Sequence, residues 1–193
     1  MIKSDLITRR WKKTVHYSCK VVMLGEGSVG KTSLIRRYVK QTFTHDYITT
    51  VGSNFLIKKI QLDEDSRMTM QLWDISGQDS FRNIRPQYYL HSHGGILTFD
   101  LTRNTTLQEL DKWYMDFTKK TGHVPLMMFG NKVDLRDQRE VLAEDAQMLA
   151  HRFNANYFET SALDGTGVEE AFTILAQRIV DHIDRRVQKM KSE

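Results

Sequence analysis

The sequence predicts an α/β fold of three layers, in which a mostly parallel sheet of six strands carries helices on both faces. Short apolar runs alternate with helical patterns along the whole chain. Ile96–Phe99 and Leu126–Phe129 are almost continuously apolar, which is typical of strands buried on both faces. Because ligands of such folds bind at the carboxyl ends of the strands, functional side chains are expected directly after each strand.

The six predicted strands are Lys20–Leu24, Asn54–Leu62, Met68–Trp73, Ile96–Phe99, Leu126–Phe129 and Tyr157–Thr160. The third alternates Met68, Met70 and Leu72 with Thr69, Gln71 and Trp73, and the second is expected to pair with it as a hairpin across Asp63–Ser66. Apolar residues recur at helical spacing after the first strand, over Thr106–Lys120, over Ala143–Phe153 and in one long stripe from Val168 to Met190.

Length and composition indicate one globular domain. The chain has 193 residues, of which 40% are hydrophobic and 27% charged. Its lone cysteine, Cys19, fits a reducing compartment, and no apolar run reaches the ~20 residues that span a bilayer. The opening residues are too charged for a secretory signal. We therefore expect a soluble, intracellular protein that is a monomer.

The charge is unevenly distributed and suggests three parts. Basic residues dominate an N-terminal extension, residues 1–17, and the end of the last helix, residues 184–193. The body, residues 18–183, carries slightly more acidic than basic residues and is expected to be the functional domain. This distribution gives no electrostatic reason to expect a nucleic-acid partner.

A glycine-rich loop after the first strand is the strongest local signal. Residues 25–32, Gly-Glu-Gly-Ser-Val-Gly-Lys-Thr, match the phosphate-loop pattern between a strand and a helix. We expect Lys31 to place its ammonium between the β- and γ-phosphates and Thr32 to ligate Mg²⁺. The phosphate-binding residues would be Gly25, Gly27, Ser28, Val29, Gly30, Lys31, Thr32 and Ser33. This predicts a P-loop NTPase fold but leaves open an adenylate-type kinase, an ATPase or a GTPase.

An acidic residue and a glutamine follow the third strand. Asp74 could hold Mg²⁺ through a water, because Mg²⁺ retains part of its hydration shell. Gly77 could bring its N–H against the γ-phosphate without steric interference. Gln78, both donor and acceptor, suits the orientation of a water for in-line attack, so Gln78 and Lys31 are the candidate catalytic residues.

A polar motif after the fifth strand suggests recognition of guanine. Asp134 can accept two hydrogen bonds from guanine, and adenine offers no such pair of donors. Lys132 can lie along the base, and Asn131 can tie this loop to the phosphate loop. Backbone N–H groups of Ser161, Ala162 and Leu163 would complete the pocket.

In order and spacing, these motifs resemble those of the Ras superfamily of small GTPases, over about residues 18–183. The resemblance implies that Phe43 stacks on guanine and that Tyr47 closes over the phosphates. It also implies that Thr50 ligates Mg²⁺ only when the γ-phosphate is present. The segment around Thr50 would then be switch I, and Gly77 to about Tyr89 would be switch II.

Within the superfamily the chain most resembles the Rab group. Phe55, Trp73 and Tyr88 match that group's aromatic triad, which implies effector, exchange-factor and GTPase-activating partners at the switches. Departures occur at Ile75-Ser76, usually Thr-Ala, and at Asp79-Ser80, usually Glu-Arg. The sequence also ends without a prenylated cysteine. Either it stops short of a longer tail, or it reaches membranes differently or not at all.

The resemblance implies a Mg²⁺-dependent switch that binds GTP, hydrolyses it slowly to GDP and phosphate, and binds effectors in its GTP state. Membrane traffic or signalling is the implied setting. The basic termini are solvated tails or, alternatively, contact anionic membranes weakly. One alternative is a permanently nucleotide-bound module without hydrolysis, which Gln78 and Thr50 argue against. A nucleotide kinase or ATPase is a third class, and the guanine-reading motif argues against it.

Overall fold

The computed structural model describes residues 14–41, 53–81 and 83–192. Its sheet has six strands: β1 (Val15–Leu24), β2 (Ser53–Gln61), β3 (Ser66–Ile75), β4 (Gly94–Asp100), β5 (Leu126–Asn131) and β6 (Ala155–Thr160). They lie in the order β2-β3-β1-β4-β5-β6. Only the β2–β3 pair is antiparallel, so the predicted mostly parallel sheet and its hairpin are confirmed.

The described residues form six α-helices: α1 (Lys31–Lys40), α2 (Arg85–Tyr89), α3 (Asn104–Gln108), α4 (Leu110–Thr121), α5 (Ala143–Arg152) and α6 (Val168–Ser192). Apolar residues of α1 and α6 form the core on one face of the sheet. Those of α2, α3, α4 and α5 form a second core on the other face. Helices therefore cover both faces, as predicted. In the described part of the chain, no helix is both long and apolar enough to cross a lipid bilayer.

Beyond shifts of one or two residues at element ends, the structure differs from the sequence-based prediction in three respects. β1 begins at Val15, because residues 15–17 pair with residues 66–68 of β3; the sheet thus reaches into the expected extension, residues 1–17. The helix predicted over Thr106–Lys120 is two helices that meet at Glu109. The short helix α2 lies in a segment for which no element was predicted, since five residues are too few for a periodic signal.

The parallel topology places one set of loops at the same edge of the sheet. The loops after β1, β3, β4, β5 and β6 all leave carboxyl ends of parallel strands. Four of these five loops, those after β1, β3, β5 and β6, carry residues predicted to bind phosphate, Mg²⁺ or guanine. The loop after β4, which the sequence analysis did not single out, lies among them.

Candidate nucleotide and magnesium site

The loop between β1 and α1 leads directly into the N-terminus of α1. Gly30, the N-cap of α1, has no side chain with which to cap the helix, and helix N-termini attract anions. Its φ is 101°, and a Cβ there would lie 2.2 Å from Asn131 Nδ2. Glycine is therefore required both by the backbone conformation and by the close approach of Asn131.

Lys31 is buried beneath this loop, with only 6% of its surface exposed. Its Nζ donates hydrogen bonds to Gly25 O at 2.6 Å and to Glu26 O at 2.7 Å. Burial lowers the pKa of Lys31 to about 8, while the Asp74 and Glu26 carboxylates act in the opposite direction. The ammonium is thus held where water is scarce and attraction to a phosphate would be strong.

Thr32 and Asp74 bring two oxygens together at the end of β3. Thr32 Oγ1 donates to Asp74 Oδ2 at 2.5 Å, and Asp74 is 5% exposed. A hydroxyl and a carboxylate are ligands that suit Mg²⁺, so this donor pair fits the expected ion. Three further residues of the predicted site, Phe43, Tyr47 and Thr50, lie outside the described residues.

Gly77 packs directly on the phosphate loop. A Cβ at Gly77 would lie 2.4 Å from Glu26 C and 2.5 Å from Gly27 N, which are backbone atoms. The next residue, Gln78, is exposed, and its N–H donates to Ser76 Oγ at 3.3 Å. The structure therefore places Gly77 against the loop and leaves the Gln78 side chain at the surface.

Asn131, the last residue of β5, joins two loops. Its Nδ2 donates to Val29 O at 2.8 Å, which is the connection expected from the sequence. Its Oδ1 accepts from Ala162 N at 3.2 Å. The Ala162 amide, expected to reach the base, is thus used by Asn131. Likewise the Leu163 amide donates to Ser161 Oγ at 3.2 Å within its own turn.

Lys132 and Asp134 follow β5. Lys132 has a left-handed backbone, φ 72°, and its Nζ donates to Asp100 Oδ2 at 2.5 Å. Asp134 is half-buried, and its carboxylate makes no hydrogen bond with the residues that the structure describes. Its oxygens are therefore available to a ligand with paired donors, such as the Watson–Crick edge of guanine.

Asp100 is a residue of this site that the sequence analysis missed. Its carboxylate is fully buried and accepts from Lys132, Thr102 and Arg103. Burial alone would raise the pKa of Asp100, but hydrogen bonds from Lys132 and Thr102 and the charge of Lys132 hold it below its usual range. The signal was its place at the carboxyl end of buried β4, the same rule that singled out the other loops.

Arg103 extends this group to the phosphate loop. Its Nε lies 3.1 Å from Asp100 Oδ2, and its guanidinium also donates to Gly27 O at 3.0 Å. Through Lys132 and Arg103, Asp100 therefore connects the loop that follows β5 to the phosphate loop. Asp100 and Arg103 belong to neither motif, so their contacts could only be found in the fold.

The three predicted partner-binding aromatic residues lie together on β2, β3 and α2. Phe55 stacks on Trp73 with ring centroids 5.2 Å apart, and Trp73 meets Tyr88 at 6.1 Å. Phe55 is 48% exposed. The structure thus forms a partly open aromatic surface beside the candidate site.

The fold and the site together define a P-loop nucleotide-binding protein of the GTPase class. The sequence pattern of the Ras family matches residues 20–181. Human Ras-related protein Rab-21 is 38% identical over 175 residues, covering 89% of this chain and 77% of the relative. Rab-1 of Theileria annulata is 36% identical over 173 residues (89% and 78%), and RABA1i of Arabidopsis thaliana 35% over 171 (88% and 78%). The chain therefore belongs to the Ras family and is a Rab-like small GTPase, which confirms the resemblance inferred from its motifs.

Proposed function

We propose that this protein is a molecular switch that binds GTP with Mg²⁺, hydrolyses it slowly to GDP and phosphate, and binds effectors in its GTP state. The observation that carries the proposal is the hydrogen bond from Asn131 Nδ2 to Val29 O at 2.8 Å. It fixes the loop that carries Asp134 relative to the phosphate loop. A single ligand with a triphosphate at one end and guanine at the other would bridge both.

The predicted phosphate-binding and magnesium-binding groups have distinct roles in this proposal. The N-terminus of α1 and the buried ammonium of Lys31 would bind the β- and γ-phosphates. The bound ion supplies positive charge to the phosphate oxygens. Thr32 would ligate it directly and Asp74 through a water, with Thr50 as the expected third ligand.

Gln78 is the proposed positioning group for the attacking water, because its amide both donates and accepts. Its exposed position leaves the side chain free to reach a water at the phosphate end of the site. We expect turnover on the order of 10⁻⁴ to 10⁻³ s⁻¹ without an activating protein. A Cβ built on Gly27 would meet no atom of the described residues within 4 Å, and an arginine from such a protein could approach there.

The switch follows from contacts that require the γ-phosphate. Thr50 and the Gly77 N–H would be held by it and released after hydrolysis. Phe55, Trp73 and Tyr88 form one aromatic surface, and Gly77 lies between Trp73 and Tyr88 in the sequence. We propose that partners detect the change at this surface. Effectors, exchange factors and activating proteins would bind there, in membrane traffic or signalling.

We further propose a cytoplasmic protein that contacts membranes peripherally. The last helix, α6, continues to Ser192. Its end carries exposed Val187 and Met190 among four basic residues: Arg185, Arg186, Lys189 and Lys191. Anionic lipid would attract such a surface by roughly 1 kcal/mol per basic residue.

Calorimetry with Mg²⁺ and GTP, GDP or ATP tests the proposed ligand. We expect at least a hundredfold preference for the guanine nucleotides. Asp134→Asn should transfer the preference to xanthosine nucleotides, because an amide offers a donor to the second carbonyl of xanthine. Equal affinity for ATP and GTP would contradict the proposal.

Single-turnover release of phosphate tests hydrolysis. Gln78→Ala should slow the parent rate at least tenfold, whereas Gln147→Ala, an exposed residue of the remote helix α5, should leave it unchanged. A parent protein that retains bound GTP for hours without releasing phosphate would instead be a permanently loaded binding module.

A further inference from the structure

A buried arginine lies in the segment that follows Gln78. Arg85 is the first residue of α2, and only 5% of its surface is exposed. A guanidinium cannot lose its proton in a protein, so burying it is unfavourable unless its donors are satisfied. Its contacts therefore indicate what the residue holds in place.

Arg85 donates hydrogen bonds to backbone carbonyls on both sides of Gly77. Its Nε donates to Ser76 O at 3.2 Å, and a terminal nitrogen donates to Gln78 O at 2.5 Å. These two carbonyls bracket the glycine that packs on the phosphate loop. The planar fork of the guanidinium thus fixes the direction in which the chain carries Gln78 away from Gly77.

Trp113 of α4 holds Arg85 in turn. The guanidinium carbon lies 4.1 Å from the centre of the Trp113 ring, a cation–π contact in a buried setting. The indole Nε1–H donates to Glu26 Oε1 at 2.9 Å. A chain of contacts therefore runs from Glu26 in the phosphate loop through Trp113 and Arg85 to the carbonyl of Gln78.

We propose that Arg85 is a positioning residue for GTP hydrolysis, which acts by holding the backbone of Gln78 relative to the phosphate loop. The inference rests on the proposed function of Gln78. The Gln78 side chain is exposed, so the position of its backbone determines where the side chain can reach. A displacement of about 1 Å can cost on the order of a hundredfold in rate.

A double-mutant cycle between Arg85→Gln and Gln78→Ala tests this proposal by single-turnover hydrolysis. Arg85→Gln should slow hydrolysis about tenfold to a hundredfold while the GTP dissociation constant changes less than about threefold. If Arg85 acts through Gln78, Arg85→Gln should have little further effect in the Gln78→Ala background. A residue that only stabilises the fold would slow both backgrounds equally.

Two further variants keep the test decisive. Arg152→Gln removes an exposed arginine paired with Asp111, and it should leave the rate unchanged. If Arg85→Gln does not fold, Arg85→Lys replaces it in the cycle; an ammonium lacks the planar fork, so it should recover only part of the rate.

The outcomes separate the two proposals. An unchanged rate in the Arg85 variant, or equal slowing with and without Gln78, would overturn the role of Arg85 alone. A parent rate that Gln78→Ala leaves untouched would overturn the role of Gln78, and that of Arg85 with it.

Discussion

The Asn131 side chain connects β5 to the phosphate loop, donating from Nδ2 to Val29 O at 2.8 Å across 102 residues of sequence. Asn131 is 1% exposed, so this bond is shielded from water. Its Oδ1 accepts from the Ala162 amide at 3.2 Å. One side chain therefore holds three loops of the site in register.

Asn131→Ala should lower the free energy of unfolding by about 2–4 kcal/mol, because it leaves the Val29 carbonyl and the Ala162 amide without this partner. Asn131→Asp keeps the size but sets a carboxylate oxygen against the Val29 carbonyl, and it should cost at least as much. Both variants should weaken GTP binding, measured by calorimetry beside urea unfolding. Thr160→Val, which removes only a 3.4 Å contact to Asn131 Oδ1, is the control. Equal stability of Asn131→Ala and this control would contradict the prediction.

Gly77→Ala should separate switch II from the phosphate loop. The added Cβ would lie 2.4 Å from Glu26 C, and a backbone carbon cannot rotate away. We expect a loss of about 1–3 kcal/mol in the free energy of unfolding. Gly27→Ala, whose Cβ would meet nothing within 4 Å, should change it by less than about 0.5 kcal/mol in the nucleotide-free protein. Two indistinguishable urea curves would show that Gly77 does not pack as described.

Asp100→Asn should destabilise the loop after β5, which carries the predicted guanine-binding residues Lys132 and Asp134. The amide keeps the shape but removes the charge that anchors Lys132 and Arg103, whose side chains are 32% and 43% exposed. Because water screens both cations in part, we expect a loss of about 1–3 kcal/mol in stability together with weaker binding of guanine nucleotides. Asp111→Asn, which breaks an exposed pair with Arg152, should cost less than about 0.5 kcal/mol. Unaltered GTP affinity in Asp100→Asn would count against this role.

Acidification should lower the free energy of unfolding through His93, which precedes β4 at the edge of the sheet opposite the candidate site. Its Nδ1 accepts from the Lys20 N–H at 3.1 Å, which requires a neutral ring nitrogen. Burial, and then the nearby Arg186, His91, His182 and Lys20, lower the pKa of His93. The unfolded chain therefore binds a proton more readily than the folded one. The stabilisation is present above the ordinary histidine pKa of about 6.5 and is lost as the pH falls below it.

His93→Asn places an acceptor oxygen near the position of Nδ1 and cannot be protonated. Between pH 7.5 and 5.5, the free energy of unfolding of this variant should fall less steeply than that of the parent. One titrating group contributes at most about 1.4 kcal/mol per pH unit. Parallel curves for the two proteins, obtained from urea unfolding at each pH, would rule out His93 as the source.

The sequence predicted the six strands, the phosphate loop and the Asn131 connection because each is expressed locally, in an apolar run or a fixed motif beside a strand end. Asp100 obeyed the same rule, yet one carboxylate after a strand forms no motif. The contacts that join Arg85, Trp113 and Glu26 left no signal in the sequence, because Trp113 and Glu26 are 87 residues apart and meet only in the folded chain. The start of β1 at Val15 depends likewise on pairing with β3, which no local pattern around Val15 expresses.

The contact between Asn131 and Val29 also constrains when the pocket can exist during synthesis. The predicted phosphate loop is complete by residue 32, but the Asn131 side chain that bonds to it is synthesised about a hundred residues later, and the turn at Ala162 later still. A nascent chain should therefore be unable to retain guanosine nucleotide until β6 has docked. Capture of nucleotide would then mark the completion of folding.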